Sequence, residues 1–370
     1  MPSTLSSART LLRRKVPCRG RTICERRASS VARTRAPGVF CAQKKCELDM
    51  SKIVQLSAYG GIDQLEFVDV AKPVPAPGEV VVRVVAAGTN PGEISIREGL
   101  LKEMFPKDFP FGQGADFAGR IDSVGSGVTE FAPGDEVLGW TEERASQAEY
   151  VAIIPSQLIA KPPALDWFRA GSLFVVATTA VAAVRAVSLK SGDVVAISAA
   201  AGGVGSLAIQ LARRAGARVI GIASEENAPF LRSVGVEPIA HGDGLADRLR
   251  ALVPQGLDAF IDLFGSGYID LAVSLGVARD RIDTIIDFSG AQKLGVKTDG
   301  SAAAASRETL ASVANLIAWG EIVMPLTAIY PFAQVRDAYT ELARRKARGK
   351  IVLTLDPAMT KPTRSRDTRL

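Results

Sequence analysis

Residues 193–223 constrain the fold of this chain more than any other stretch. Asp193-Val-Val-Ala-Ile-Ser198 is short, β-branched and bounded by Gly192, the pattern of a strand buried on both faces. Ala199-Ala-Ala-Gly-Gly-Val-Gly205 follows, and Val204, Leu207, Ala208, Leu211 and Ala212 recur at helical spacing up to Gly216, a C′ glycine by position. A second strand, Arg218-Val-Ile-Gly-Ile-Ala223, begins at once. Strand, glycine turn, helix, strand is the order of a parallel βαβ unit, and that context makes a glycine motif specific. Gly202 would let the backbone approach a pyrophosphate, Gly205 would let the helix pack closely on the strand, and the helix N-terminal amides would face the phosphates. Ala201, Gly202, Gly203, Val204 and Gly205 are therefore the candidate dinucleotide-binding residues. Ala200 stands where the usual pattern has its first glycine.

The second strand ends at Ala223-Ser224, where an NAD site places an acid for the ribose 2′-hydroxyl. Without that acid a 2′-phosphate is not repelled directly. Ser224 and Asn227 are candidate donors to it, and the expected cofactor is NADP(H). Glu225 and Glu226 argue for NAD if either turns inward. Alternation continues with helices over 229–234, 245–252 and 269–275 and strands over 237–240, 259–263 and 282–287, a doubly wound α/β pattern. His241, the chain's one histidine, falls in a loop after a strand and reads as a solvated residue. Residues 50–165 differ: short strands over 80–86, 117–124 and 136–139 are punctuated by Gly and Pro, with a turn at Ala132-Pro-Gly-Asp135.

Composition excludes several kinds of chemistry. The four cysteines, Cys18, Cys24, Cys41 and Cys46, all precede Met50, so the body has no thiol for a zinc site, a disulfide framework or a cysteine nucleophile. No metal site is expected. The net charge of +6 divides unevenly: 1–49 holds 12 basic and 3 acidic residues, 357–370 holds 4 and 1, and 50–356 holds 29 and 35. The body is acidic, which argues against a nucleic-acid partner. Residues 194–212 lack charge over nearly a membrane-spanning length, but Gly202, Gly203 and Gly205 in their midst fit the strand–turn–helix reading, and no membrane segment is expected. In 1–49, a basic Arg- and Ser-rich segment, Leu11-Leu12 is followed directly by Arg13-Arg14-Lys15, too short a core for a secretory signal. The segment reads as an organelle transit peptide or as an inert disordered extension before a start at Met50, the second going with a cytoplasmic location. Residues 357–370 read as a disordered tail.

Several motifs in order carry a family resemblance: Ala86-Ala-Gly-Thr-Asn-Pro91, Ile96-Arg-Glu-Gly99, Gly114-Ala-Asp-Phe-Ala-Gly119, Val124-Gly-Ser-Gly127, Gly134-Asp-Glu-Val137, Ala200-Ala-Gly-Gly-Val-Gly205 and Gly349-Lys-Ile-Val-Leu353. On these, 50–355 resembles the zinc-independent quinone oxidoreductase (zeta-crystallin-like) branch of the medium-chain dehydrogenase/reductase superfamily. The resemblance implies a GroES-like β-rich substrate domain over 50–172, completed by 325–356, and a Rossmann NADP-binding domain over 173–324. Zinc-dependent relatives place Cys at the position of Asn90 and His-Glu at Ala115-Asp116, which implies that the metal is absent here. It also implies NADPH-dependent reduction of a small-molecule quinone or α,β-unsaturated carbonyl by a homodimer. Enoyl reduction in lipid or polyketide assembly and a non-catalytic NADPH-binding role are the alternatives. Asn90 is the candidate catalytic residue, donating its amide to a substrate carbonyl, or else a structural turn before Pro91. Thr179 is a cofactor contact or an N-terminal helix cap, and Asp116 a structural polar residue. The chain departs from the family at Ser95, where a tyrosine is frequent, and at Gly276-Val-Ala-Arg-Asp-Arg-Ile282, which replaces a Gly-Gly turn.

Overall fold

The structure, a computed structural model, describes residues 49–106 and 108–359. The expectations for 1–48 and 360–370, including the transit peptide and most of the C-terminal tail, lie outside these residues. Strands in the first half are β1 (Met50–Leu56), β2 (Glu66–Ala71), β3 (Val80–Gly88), β4 (Phe111–Gly112), β5 (Asp116–Val124), β6 (Glu136–Trp140), β7 (Tyr150–Ile153) and β8 (Leu158–Ala160). The second half contributes β9 (Val194–Ile197), β10 (Arg218–Ala223), β11 (Glu237–Ala240), β12 (Ala259–Asp262), β13 (Ile282–Thr284), β14 (Leu326–Pro331) and β15 (Lys350–Thr354).

Five parallel strands run in the order β11-β10-β9-β12-β13. The chain winds outward from β9 through β10 and β11, then resumes on the other side of β9 as β12 and β13. The sheet's switch point therefore lies between β9 and β12, where open α/β sheets bind ligands beyond their strand ends. Alternate side chains serve opposite faces. Val195, Ile197, Val219 and Ile261 join the core with Leu207 and Ile209 of the helix Gly203–Arg214, while Ala196, Ile220, Phe260 and Ile282 pack with Leu249 and Ile269 of the helices Leu245–Leu252 and Tyr268–Ser274. Two-sided burial accounts for the near-continuous apolar runs of these strands.

The other large sheet is seven-stranded, with β14-β15-β3-β5-β6-β8 in order and β7 also on β3. Its strands β14 and β15 come from the end of the chain. β15 pairs antiparallel with β3, Val352 opposite Gly88 and Thr354 opposite Ala86, so the C-terminal segment returns to the sheet of the first half. The fold is thus a GroES-like β-rich part joined to a Rossmann-type part. One apolar core runs between them, since Leu138 and Trp140 of β6 share a cluster with Val176 and Ala180 of the helix Phe174–Ala186 and with Val195 of β9. Trp140 and Phe174 stack there, ring centroids 4.1 Å apart.

Two expectations are corrected in detail. The strand expected over 282–287 ends at Thr284, because the Thr284 hydroxyl accepts from the amides of Ile286 and Asp287 and turns the chain out. Asp287 instead caps the next helix, accepting from Gly290 N at 2.9 Å. The tail expected to lack structure from 357 begins with a 3₁₀ turn, Pro357–Met359, whose Ala358 N bonds Asp356 Oδ1. Among the described residues no helix is long and apolar enough to cross a membrane.

Candidate active site

The turn after β9 is built by its backbone. Ala199 takes a left-handed φ of 46°, Gly202 N donates to Ala199 O at 2.9 Å, and the helix Gly203–Arg214 starts at Gly202 with no side chain capping it. The first-turn amides of that helix have no intrahelical acceptor, which suits them to an anion. A Cβ on Gly205 would stand 2.1 Å from Ala199 O, whereas one on Gly202 would meet only that oxygen, at 3.2 Å. Gly205 is therefore required by the contact of helix and turn. Gly202 is nearly free of internal crowding, so no contact within the turn demands a glycine there. At the switch point the Ser198 hydroxyl donates to Asp262 Oδ1 at 2.8 Å, and Asp262 also accepts from Thr284 Oγ1 and from Gly265 N. These groups fix the loop after β12 beside the glycine turn.

Asn90 precedes the helix Pro91–Arg97 as its N-cap residue, and the Glu93 carboxylate reaches back to accept from Asn90 N at 2.9 Å. The Asn90 side chain is fully engaged: Nδ2 donates to Asp116 Oδ2 at 2.9 Å and Glu93 Oε1 at 3.2 Å, and Oδ1 accepts from Lys350 Nζ at 2.6 Å. The expected donation to a substrate carbonyl thus finds both amide hydrogens already committed. Asp116, fully buried, uses its second oxygen to accept from Val175 N at 2.8 Å, holding the N-terminus of the helix Phe174–Ala186. Behind Glu93, the Tyr339 hydroxyl donates to Glu93 Oε2 at 2.5 Å and accepts from Gln113 Nε2 and Gln147 Nε2. Burial pushes the Glu93 carboxyl up, with Asp116 adding to the effect, although the Tyr339 hydrogen bond opposes it. Burial and the Glu93 charge raise the Tyr339 phenol well above its ordinary value. Lys350 is lowered by burial, against the opposing attraction of Asp116 and Glu93.

The other candidate residues fall in two places. Thr179 lies inside the helix Phe174–Ala186, buried, and its hydroxyl donates back to Val175 O at 2.6 Å; it is not an N-terminal cap. Ser224 and Asn227 sit together beyond β10, but they are bonded to each other and to an acid: Asn227 Nδ2 donates to Ser224 Oγ at 2.8 Å, and Ser224 Oγ donates to Glu226 Oε1 at 3.1 Å. His241 N bonds Ala223 O, which puts the histidine in the loop beside that strand end. Ala201 and Gly202 meet the C-terminal segment through Gly349, whose amide donates to Ala201 O at 2.9 Å.

The alcohol dehydrogenase GroES-like domain family matches residues 76–163, and the zinc-binding dehydrogenase family matches residues 203–281. The chain is 29% identical over 327 residues to a quinone oxidoreductase of Pseudomonas aeruginosa, covering 82% of this chain and 99% of that protein. A solved quinone oxidoreductase from Coxiella burnetii superposes with a TM-score of 0.76 at 28% identity, covering 83% of this chain and all of the other. The chain belongs to the quinone oxidoreductase branch of the medium-chain dehydrogenase/reductase superfamily. This oxidoreductase is also 29% identical over 315 residues to an NADPH-dependent alkenal/one oxidoreductase of Arabidopsis thaliana chloroplasts, with 80% of this chain and 78% of that one covered. As an enzyme of this type it uses a nicotinamide cofactor, and the glycine turn at the switch point fits one.

Sequence reading missed the groups that surround Asn90. Glu93 had a signal, since an acid three residues after an N-cap asparagine is a capping pattern. Lys350 lay inside a quoted motif without a role, and Tyr339, Gln113 and Gln147 come together only through the return of the C-terminal segment. Among the described residues, no group of three or more His, Cys, Asp or Glu side chains is arranged to hold a metal ion.

Proposed function

We propose that this oxidoreductase is NADPH-dependent and zinc-independent, and that it reduces a quinone or the β-carbon of an α,β-unsaturated carbonyl. The observation that carries the reading is the uncapped glycine turn at the switch point, with the Asn90–Asp116–Lys350 cluster joined to it through Gly349. When bound, the nicotinamide supplies the hydride. Ala201, Gly202, Gly203, Val204 and Gly205 would hold the pyrophosphate on their amides, Ser224 and Asn227 would take the 2′-phosphate, and Thr179 would line the nicotinamide half. Asn90 would act at the reacting end as part of its hydrogen-bonded cluster. The proton comes from water or a substrate-side hydroxyl, no side chain being assigned to it. Residues 50–172 with 325–356 would form the substrate part and 173–324 the nucleotide part.

The donor set supports the absence of zinc from the mechanism. Asn90 and Ala115-Asp116 stand where zinc-dependent relatives carry Cys and His-Glu; here Asn90 and Asp116 bond each other, and the Lys350 ammonium stands 3.8 Å from Asp116 Oδ2. A divalent cation placed there would face a fixed positive charge in a poorly screened site. A homodimer is expected from the resemblance; along β13, Thr284 N and Ile282 O are bonded within the chain to Lys297.

One observation favours NADH as a second reading: the Glu226 carboxylate is bonded to Ser224, where it would repel a 2′-phosphate. Following NADPH and NADH oxidation with a panel of quinones and enones tests both readings. Turnover of NADPH with members of the panel is expected. Tight cofactor binding without oxidation by any of them would contradict the enzymatic reading, and turnover confined to NADH would replace the cofactor.

A further inference from the structure

We propose that Lys350 is a positioning residue that sets the Asn90 amide in register with the nucleotide turn. Its backbone is pinned from both sides. Lys350 N donates to Pro325 O at 2.9 Å, and the preceding Gly349 donates to Ala201 O within the turn itself. Gly349 has no alternative at that point, because its φ is 77° and a Cβ would stand 1.9 Å from Pro325 O. From this anchor the lysine stem runs along the start of the Gly203 helix. A Cβ on Gly203 would come within 3.0 Å of Lys350 Cδ and 3.2 Å of Val176 Cγ1, so the glycine at 203 makes room for the stem.

The stem ends in a buried ammonium, the residue being 3% exposed, which donates to Thr89 O at 2.7 Å and Asn90 Oδ1 at 2.6 Å. Desolvating an ammonium is costly, and here no carboxylate touches it directly, Asp116 Oδ2 being 3.8 Å away. An apolar side chain in its place would leave Thr89 O and Asn90 Oδ1 without their donor and Asp116 without this cation, so the charge is held for its partners, a task beyond packing. That task is visible in the amide it faces. A primary amide has one accepting and one donating end. With Oδ1 on the ammonium, Nδ2 is directed at Asp116 and Glu93. A flipped amide would set two N–H groups against a cation and break both carboxylate bonds. Lys350 thereby joins two places: the turn assigned to the pyrophosphate, and the side chain assigned to the reacting end. The inference rests on the reading of Asn90 as a participant in the reaction.

A double-mutant cycle on the full-length protein tests it, using Asn90→Ala, Lys350→Met and their combination, with Lys350→Gln as a second replacement should the methionine variant not fold. For each variant, kcat with a reducible quinone, the cofactor Kd and the thermal midpoint are measured. Asn90→Ala is expected to lower kcat about 30-fold, and Lys350→Met about as much, because misplacing a group near the chemistry costs up to about 100-fold. The double variant is expected to fall no further than Asn90→Ala alone, within about twofold, with the cofactor Kd of Lys350→Met within about threefold of the parent. A full multiplicative loss in the double variant, an unchanged kcat in the lysine variants, or a kcat loss that only tracks a raised cofactor Kd would overturn the positioning role while leaving Asn90 in place. An unchanged kcat in Asn90→Ala would remove the Asn90 reading itself, and the positioning role with it. If neither lysine replacement folds while Asn90→Ala does, the lysine is a structural support and the inference fails.

Discussion

Gly202 and Gly205 lie three residues apart in one turn, yet only Gly205 is crowded by it, and a pair of alanine substitutions tests the different tasks proposed for them. Gly202 has φ −72°, a backbone that alanine adopts without strain, and its added Cβ would meet Ala199 O at 3.2 Å, a contact relieved by a shift of a few tenths of an ångström. Gly202→Ala should therefore change folding stability by less than about 1 kcal/mol. The same methyl would stand between the backbone and a pyrophosphate, and a loss of about 2–3 kcal/mol in cofactor binding corresponds to a Kd raised about 30- to 150-fold. In Gly205→Ala the Cβ would be 2.1 Å from Ala199 O and 2.9 Å from Ala199 C and Ala200 C, all of them backbone atoms that must move apart for the helix to remain on its strand. Overpacking of this kind costs about 1–3 kcal/mol, or a thermal midpoint lower by several degrees. Urea denaturation and scanning calorimetry read the first quantity, and titration with NADPH and with NADH reads the second. The reasoning is refuted if Gly202→Ala binds both dinucleotides like the parent while remaining folded, or if Gly205→Ala unfolds at an unchanged midpoint.

Three further outcomes follow from buried or charged groups. Burial, reinforced by the charges of Asp299 and Asp262, pushes the Asp283 carboxyl up from 3.8 to about 7, against the opposing hydrogen bond from Asp299 N and the charge of Lys297; its Oδ2 has no hydrogen-bond partner. The folded state then binds more protons than the unfolded state between those values, so stability falls as pH rises from about 4 to about 7 and levels off above, by at most about 4 kcal/mol. Asp283→Asn should flatten that slope in urea melts, and an unchanged slope would show that the group does not titrate there. Glu226→Gln should lower the NADPH Kd several-fold and leave the NADH Kd unchanged or weaker, because it removes a charge beside Ser224; equal effects on both cofactors would place the ribose elsewhere. Tyr339→Phe deprives Glu93, Gln113 and Gln147 of a shared partner in the core and should cost about 2 kcal/mol or more in urea denaturation. A loss below about 0.5 kcal/mol would show that the buried network is not a source of stability.

The Rossmann half was largely legible because its determinants are local. A buried parallel strand, a glycine turn and an amphipathic helix each leave a short-range pattern, and the helix expected over 245–252 coincides with Leu245–Leu252. The early end of β13 was not legible, since Ile285 and Ile286 continue the apolar run and only the Thr284 hydroxyl breaks it. The surroundings of Asn90 depend on contacts across most of the chain. Lys350 is 260 residues from Asn90, and Tyr339 is 246 from Glu93; no spacing rule connects them. Motif matching located Asn90 but not what its amide does, because the carboxylates that occupy it were not assigned to it. Beyond β10, at the proposed ribose end, the sequence presents Ser224, Asn227 and two acids in one short segment. Only the side-chain geometry distinguishes the acid bonded to Ser224, Glu226, from its neighbour Glu225.

The central claim is that the nicotinamide and the residues around Asn90 suffice for the reaction without zinc. Its most direct test is steady-state turnover of NADPH with a quinone acceptor by protein purified with a strong chelator, its metal content measured on the same sample. The account predicts undiminished kcat at far below one metal ion per chain and no gain on adding zinc. Activity that disappears with the metal and returns on stoichiometric zinc would contradict it.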